Sequence, residues 1–109
     1  MVDSDGDVLD RTFQALANPT RRKLIGRLAQ GPASVGDLAQ PFEMSLSGVS
    51  KHLHYLEAAG LIVRTIIGRQ TLCELTPAGL ERAHRLLDEY REFWANRLDS
   101  LESFMREGR

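Results

Sequence analysis

Residues 34–60 constrain the fold of this chain more than any other stretch. The spacing of their apolar residues predicts two short helices joined by a tight turn. In the second helix, residues 45–59, the predicted core stripe steps by three or four residues, through Leu46, Val49, Leu53 and Leu56. The opposite face carries small donors and one cation, namely Ser47, Lys51, His54 and Ala58, with Ser50 beside them. Because such a face can enter a DNA major groove and reach base edges and phosphates, residues 45–59 are a candidate recognition helix.

The composition indicates one soluble globular domain. The chain has 109 residues, of which 42% are hydrophobic and 27% charged, and none of its apolar runs approaches the ~20 residues of a membrane span. Its acidic start, MVDSDGDVLD, lacks the basic and apolar regions of a signal peptide, so we expect a cytoplasmic protein with no membrane partner. The single cysteine, Cys73, excludes an internal disulfide framework and any multi-thiolate zinc site within one chain.

Charge is unevenly distributed along the chain. The net charge is −1, which by itself gives no support for nucleic-acid binding. Residues 18–27 hold four cations and no acid, and residues 45–70 hold three cations and one acid, so basic charge is concentrated around the candidate recognition helix. Residues 1–10 hold four aspartates and no cation. With Asp3 as the first ligand of a calcium loop, the required glycine position falls on Val8 and the final glutamate position on Gln14, so DSDGD fails that pattern. We predict a disordered acidic leader at 1–7 and a single domain at 8–109.

Two helices are predicted before the helix-turn-helix, which spans residues 34–60. The first covers residues 8–17, and the second, residues 19–30, begins after Asn18 as N-cap with proline at its first position. The first turn of the second helix carries Arg21, Arg22 and Lys23. This turn is either a solvated basic surface or a clamp for DNA phosphates, and the sequence leaves both interpretations open.

Capping residues set the ends of the next two helices. Ser34 is expected to cap the third helix, with Asp37 three residues later as its acidic partner. Ser45 is expected to cap the recognition helix, whose N-terminus also favours a phosphate, and Gly60 is the expected C-terminal cap.

Residues 61–75 change to the two-residue period of strands. The β-branched run LIVRTII and the alternating QTLCEL flank Gly68-Arg69, a two-residue connection that suits a type II′ hairpin. Two strands after a helix-turn-helix form a wing. Arg64, Arg69 and Gln70 lie on or next to its predicted tip, where we expect contact with the DNA backbone or minor groove.

The longest predicted helix, residues 77–105, follows Thr76 as N-cap. At 1.5 Å per residue it is about 40 Å long, which is more than a domain of this size can cover. A helix folded back on its own core accounts for the first half only, so we expect a symmetric homodimer in which this helix and the first helix form the interface. The expected interface residues are Leu9, Phe13, Leu87, Tyr90, Trp94, Leu98 and Leu101.

The predicted fold is mainly α with a small β-hairpin, a winged helix-turn-helix of the order α-α-α-α-β-β-α. Together with ALANPTRRKLI at 15–25, SVGDLA at 34–39, SLSGVSKHLHYLEAAGLI at 45–62 and the wing motifs GRQ and LTPAGL, this order resembles the ArsR-type winged-helix repressors. The resemblance covers nearly the whole chain. It implies a homodimeric repressor that binds a palindromic DNA operator, often in its own promoter, and is released by an inducer.

The inducer site is where the sequence departs from the metal-sensing members. Their third helix carries a cysteine pair around a Val-Cys-Asp core, whereas the matching residues here, 34–37, contain no thiol. Other members bind zinc through Asp and His pairs on the last helix, and here His84 stands without that motif and is read as a surface histidine. The ending YREFWANRLDSLESF resembles a branch of the family without metal motifs. We therefore expect no metal and no cofactor, and leave open an unidentified small-molecule inducer.

The resemblance assigns DNA contacts position by position. Ser45 and Ser47 match the start of the family's recognition helix, and Ser50 and Lys51 match the next turn. Leu46 departs from the glutamine of many relatives, and its place in the core stripe predicts packing. Base readout is then expected from Lys51 and His54, with His54 also able to meet a phosphate. His52 is predicted to be structural, and the expected phosphate contacts are Arg21, Arg22 and Arg69.

Other classes of function find less support in the sequence. It contains no Gly-x-Ser-x-Gly elbow, phosphate loop or His-Glu-x-x-His pair, and Ser50 and His52 do not face each other on a helix, so we expect no enzyme. A winged-helix module that binds protein or RNA stays open, because fold does not fix function. Thiol sensing by Cys73 also stays open beside the more ordinary role of a small buried hydrophobe.

Overall fold

The computed structural model describes residues 5–107 as helices and a small sheet in one domain. The elements are α1 (Asp5–Leu16), α2 (Pro19–Leu28), β1 (Ala33–Ser34), α3 (Val35–Ala39), α4 (Leu46–Ala58), β2 (Ile62–Ile67), β3 (Gln70–Leu75) and α5 (Pro77–Glu107). The predicted winged helix-turn-helix with a long C-terminal helix is confirmed. The predicted order is corrected by one short strand, β1.

The first helix begins earlier than its apolar spacing predicted. Residues 5–7, expected to belong to a disordered leader, form the first turn of α1, and residues 1–4 of that leader lie outside the described residues. Inside the helix, Thr12 is fully buried and its hydroxyl donates to the carbonyl of Val8 over 3.1 Å. Because a buried hydroxyl needs a partner, this internal bond lets a polar residue occupy the core face of α1.

The helix α4 lies at the centre of the core. Its Val49, Leu53 and Leu56 are fully buried. They pack in one core with side chains from the other helices and from the sheet, including Leu24 of α2 and Leu38 of α3. The predicted stripe fails at its first residue, because Leu46 is 59% exposed. At the N-terminal end of the helix the neighbouring elements no longer reach far enough to cover it.

The capping predictions around the helix-turn-helix are confirmed. The hydroxyl of Ser34 accepts the N–H of Asp37 over 3.1 Å, and the hydroxyl of Ser45 accepts the N–H of Gly48 over 3.0 Å. Gly60 has φ 79°, the left-handed conformation that ends many helices, and the next N–H, that of Leu61, donates to the Leu56 carbonyl over 3.0 Å. These bonds fix where α4 begins and ends.

The sheet has the strand order β1-β3-β2, with antiparallel pairing throughout. The strand β1 was not predicted, because it is two residues long and follows a Gly-Pro break; Ala33 and Ser34 pair with Cys73 and Leu72. The hairpin turn agrees with the prediction. Gly68 has φ 62°, Arg69 has no positive φ, and Ile67 pairs with Gln70, as a two-residue type II′ connection requires.

The helix α5 is anchored at its start and uncovered over most of its length. The N–H of Thr76 donates to the Leu61 carbonyl over 2.8 Å, and a Cβ on Gly79 would lie 2.5 Å from the Gly60 carbonyl oxygen, so this turn packs directly on the end of α4. The expected N-cap bond is not formed, since the buried Thr76 hydroxyl has no hydrogen-bond partner among the residues that the structure describes. Beyond Ala83, the last buried residue of α5, the helix extends away from the core.

Candidate nucleic-acid interface

The first two turns of α4 present a polar surface to solvent. Ser45 and Ser47 are exposed, and Lys51, one turn further on, is exposed and its ammonium makes no hydrogen bond or ion pair with any described residue. Ser50 lies beside them and is half-buried. Because the Ser45 hydroxyl uses a lone pair to accept the Gly48 N–H, its own O–H remains available to donate to a phosphate or base.

Arg64 ties the wing to the recognition helix. It lies within β2, opposite Cys73 and four residues before Gly68 of the turn, and its side chain is 24% exposed. Its guanidinium donates twice to Glu57 Oε1 of α4, from Nε over 3.0 Å and from Nη2 over 2.8 Å. Nη2 also lies 3.4 Å from Nδ1 of His54. Its carboxylate partner on α4 therefore ties the wing strand to α4, and contact of Arg64 with DNA stays a prediction.

Arg21 closes the C-terminal end of α1. Its Nε donates to the Ala15 carbonyl over 2.7 Å and its Nη2 donates to the Gln14 carbonyl over 3.1 Å, so it satisfies acceptors that a helix end leaves without partners. The guanidinium carbon also lies 4.1 Å from the ring centre of Tyr55 on α4, within the range of a cation–π contact. These contacts hold Arg21 between α1 and α4, and its use as a phosphate clamp stays a prediction.

Arg22 and Lys23 differ in how they are held. Arg22 donates from Nη1 to the Leu16 carbonyl over 2.8 Å, so it too caps α1 and has only part of its fork available to a phosphate. Lys23 is exposed, and its ammonium makes no hydrogen bond or ion pair with the described residues. Both Arg22 and Lys23 are therefore open to solvent, but only Arg22 is held by a carbonyl of α1.

His52 belongs to the structural network and not to the polar face. Its Nδ1 lies 3.4 Å from Arg21 Nη1, and burial, together with the nearby Arg21 charge, lowers the pKa of His52 below its usual value. A neutral imidazole can accept a hydrogen bond from the guanidinium at Nδ1. The sequence-based assignment of His52 as structural agrees with this geometry.

The end of the wing is solvent-exposed on both strands. Arg69 and Gln70, at and next to the turn, are exposed, and their side chains make no hydrogen bond within residues 5–107. The preceding residues Ile66 and Ile67 are also exposed, Ile66 at 77%. Between the wing and the start of α4 lies an open groove of about 260 Å³, lined in part by Leu46 and Arg69.

This arrangement of caps, helix and wing is shared with known proteins. A family model described as a helix-turn-helix domain matches residues 16–65. The HTH-type transcriptional regulator Rv2034 of Mycobacterium tuberculosis is 40% identical over 89 residues, which are 82% of this chain and 80% of that protein. The crystal structure of an ArsR family transcriptional regulator is 42% identical and has a TM-score of 0.75, with 81% of this chain and 97% of that chain covered.

The chain belongs to the ArsR family of transcriptional regulators. A further similar structure is the homodimeric winged helix-turn-helix DNA-binding domain Mb0332 from Mycobacterium bovis, a possible ArsR-family regulator. It is 27% identical and has a TM-score of 0.64, and the match covers 80% of this chain and 84% of that one. The present protein is therefore a DNA-binding transcriptional regulator.

The positions that hold metal in some ArsR-type proteins carry other chemistry here. Ser34 and Asp37 serve as the cap of α3, and a surface pair on α5 joins His84 Nε2 to Asp88 Oδ2 over 3.3 Å. Within residues 5–107 no group of three or more His, Cys, Asp or Glu side chains is close enough to hold a metal ion. Cys73 is fully buried at the centre of the sheet, and burial raises the pKa of its thiol, which disfavours the reactive thiolate.

A long apolar surface remains on α1 and α5 of this ArsR-family chain. Leu9 and Phe13 of α1 are half-buried. The α5 members of the predicted interface are all at least half exposed, namely Leu87, Tyr90, Trp94, Leu98 and Leu101. None of the helices in the described part of the chain is both long and apolar enough to cross a bilayer.

Proposed function

We propose that this ArsR-family protein is a homodimeric, sequence-specific transcriptional repressor that binds a palindromic promoter operator, including one in its own promoter, without a metal. The observation that carries this proposal is the polar start of α4, where Ser45, Ser47 and Lys51 are exposed around a helix whose other side is the centre of the core. The buried stripe fixes the orientation of the helix, so the exposed donors are presented on a rigid support.

Lys51 and the serines divide the contacts between bases and backbone. The Lys51 ammonium has no partner in the described chain and can donate to O6 or N7 of a guanine, with Ser47 and Ser50 as shorter donors beside it. Ser45, at the helix N-terminus, can donate to a phosphate where the helix dipole also favours negative charge. His54 lies next to Arg64 at the far edge of this face and is proposed to meet the backbone.

The wing supplies contacts that fix position without reading sequence. Arg69 and Gln70, exposed at and next to the hairpin turn, are proposed to lie along the sugar-phosphate backbone or in the minor groove. Lys23 and the free part of the Arg22 fork add positive charge at the start of α2. Replacing a phosphate-binding cation should weaken binding to all sequences alike and lower the salt slope by about 0.9 per contact.

The apolar face of α5 supports the homodimer. From Leu87 to Met105 this face is exposed over about 27 Å at 1.5 Å per residue, too long a stripe for a monomeric surface. A second copy related by a twofold axis can cover it with its own α5 and with Leu9 and Phe13 of α1. Such a dimer would direct two copies of α4 towards successive major grooves, about 34–36 Å apart.

The family resemblance supports repression, since a dimer bound across a promoter excludes polymerase. It also leaves room for an unidentified small-molecule inducer and agrees with a cytoplasmic location, where the DNA of a bacterium lies. The alternative is a winged-helix module that binds protein or RNA without operator specificity. The exposed Ile66 and Ile67 on the wing favour that alternative, because apolar patches mark many protein interfaces.

Fluorescence anisotropy on labelled DNA from upstream of the protein's own gene tests the proposal. We expect tight binding that survives excess competitor DNA and is unchanged by chelator. Lys51→Ala should weaken binding to the operator by about 5- to 150-fold for each half-site, the equivalent of one base contact of about 1–3 kcal/mol per protomer, with little effect on random DNA. Arg27→Ala, which also removes one exposed cation but at the far end of α2, is the matched control. Equal affinity for upstream and random DNA would reject autoregulation and favour the interaction module.

A further inference from the structure

Leu46 is an apolar side chain in an otherwise polar surface. It is the first residue of α4, it stands between Ser45 and Ser47, and it is 59% exposed although its spacing places it on the core stripe. Met44, before the cap, is 37% exposed, and its side chain lies over Gly48 at the same end of the helix. A single exposed leucine is ordinary on a protein surface. Leu46, however, lies at the end of the helix that is proposed to contact DNA, so its exposed side chain can take part in that contact.

The direction of Leu46 can be established in two ways. It lines the groove of about 260 Å³ together with Val35 of α3 and with Arg69 and Thr71 of the wing. Because an α-helix turns about 100° per residue, Leu46 and Glu57 also point from nearly the same side of α4. Glu57 forms an ion pair with Arg64 of the wing strand β2, so this side of α4 faces the wing. Leu46 therefore lies on the wing-facing edge of the recognition surface, next to the donors and open to a partner.

We propose that Leu46 determines sequence specificity by contacting the C5-methyl group of a thymine in the major groove; this inference rests on the proposed function. The thymine methyl is the apolar group that the major-groove edges of unmodified base pairs present, and an aliphatic side chain cannot satisfy the donors or acceptors of the other bases. Placing Leu46 against a cytosine or guanine edge would bury polar groups without hydrogen bonds. Leu46 thus both favours thymine and penalises the alternatives.

The expected effect follows from the size of one methyl group. Burying one methyl-sized group changes affinity by about fourfold, so loss of one thymine methyl from each half-site of a palindrome should weaken dimer binding by about fifteenfold. The loss should be confined to one thymine per half-site, because Leu46 occurs once in each recognition helix. The Leu46→Ala variant should lose that sensitivity while keeping the contacts of Lys51.

The test begins by selecting high-affinity sites from random duplex DNA with the full-length protein. Each thymine of the selected operator is then replaced in turn by deoxyuridine, which removes the C5-methyl group and leaves every hydrogen-bonding group in place. Affinities are measured for the unaltered protein, for Leu46→Ala and for Ile66→Ala, a control that truncates an exposed apolar side chain on the wing. Thermal melting checks folding, and Leu46→Ala should leave it unchanged because the side chain is exposed.

We expect one deoxyuridine position per half-site to weaken binding by the unaltered protein and by Ile66→Ala, and to have no effect on Leu46→Ala. The inference is overturned if no thymine methyl affects affinity, or if Leu46→Ala keeps the same sensitivity, in which case Leu46 only packs against the wing. Selection that enriches no sequence at all would overturn the proposed function as well. That outcome differs visibly from an operator that binds tightly but ignores thymine methyl groups.

Discussion

Arg21 gives the sharpest test of how the basic turn of α2 is used. If its guanidinium holds the end of α1, replacing it should destabilise the fold; if it clamps a phosphate, replacement should leave stability unchanged and reduce the salt dependence of DNA binding. The structure favours the first outcome, because three of its nitrogens lie within hydrogen-bond range of protein acceptors and its plane covers Tyr55.

Each contact of Arg21 contributes separately to the free energy of unfolding. The 2.7 Å bond to the Ala15 carbonyl is charge-assisted and partly buried, and is assigned about 1.5 kcal/mol. The bond to Gln14 is exposed, and that carbonyl also accepts the Ala17 N–H, so its loss is assigned about 0.5 kcal/mol. The contact with Tyr55 adds about 0.5–1 kcal/mol. Arg21→Ala should therefore lower the free energy of unfolding by about 2.5–3 kcal/mol.

The assay is urea denaturation of the variants at one fixed protomer concentration, because dimerisation contributes to apparent stability. Arg22→Ala, which loses one exposed bond, should cost about 0.5–1 kcal/mol, and Lys23→Ala, which loses no bond in the described chain, should cost close to nothing. Arg21→Lys keeps the charge without the fork and should recover little of the loss. An Arg21→Ala protein as stable as the parent, with a salt slope lowered by about 0.9, would refute the structural role.

Three further predictions concern the interface, the imidazole network and the α4–α5 junction. Trp94→Glu, which places a charge in the exposed apolar stripe of α5, should convert the dimer to a monomer in sedimentation velocity, whereas Asn96→Glu on the opposite side of the helix should not. Burial, and to a smaller extent the charge of Arg21, lowers the pKa of His52 in the folded protein. The neutral imidazole therefore stabilises the fold fully above the pKa of an unfolded histidine, about 6.5, and this stabilisation is lost as the pH falls below that value. His52→Gln should lose less melting temperature between about pH 7.5 and 5.5 than the parent protein does. Gly79→Ala should destabilise by about 1–3 kcal/mol through the clash with the Gly60 carbonyl, whereas Gly26→Ala, whose added methyl meets nothing within 4 Å, should stabilise by up to about 1 kcal/mol.

Each of these predictions has an outcome that would contradict it. A Trp94→Glu protein that still sediments as a dimer would mean that the exposed stripe of α5 is not the interface. Equal pH profiles for the parent and His52→Gln would place the titrating group elsewhere. A Gly79→Ala protein as stable as the parent would show that the end of α4 can move away from α5 without loss.

Much of the recognition helix could be predicted because its signals are local. These signals are the serine caps, the apolar stripe from Val49 to Leu56 and the glycine at the helix end, and each acts through residues within one or two turns. All of them are present in the structure. The same holds for the wing turn, where the positive φ of Gly68 is a property of the residue type. The exposed positions Ser47, Lys51 and Arg69 follow from these elements, since the faces opposite a buried stripe and at a hairpin end are open to solvent.

The sequence by itself determined the order of the main elements, the helix boundaries near the serine and glycine caps and the polar face that is proposed to bind DNA. Tertiary structure alone decided which charges remain available on that surface. Arg21 and Arg64 read as free cations in the sequence, but their partners come from α1 and α4, and a pattern of neighbouring residues cannot show which distant carbonyl or carboxylate will lie within 3 Å. The strand β1 and the exposure of Leu46 have the same cause, because pairing and burial depend on whether a remote segment reaches the residue.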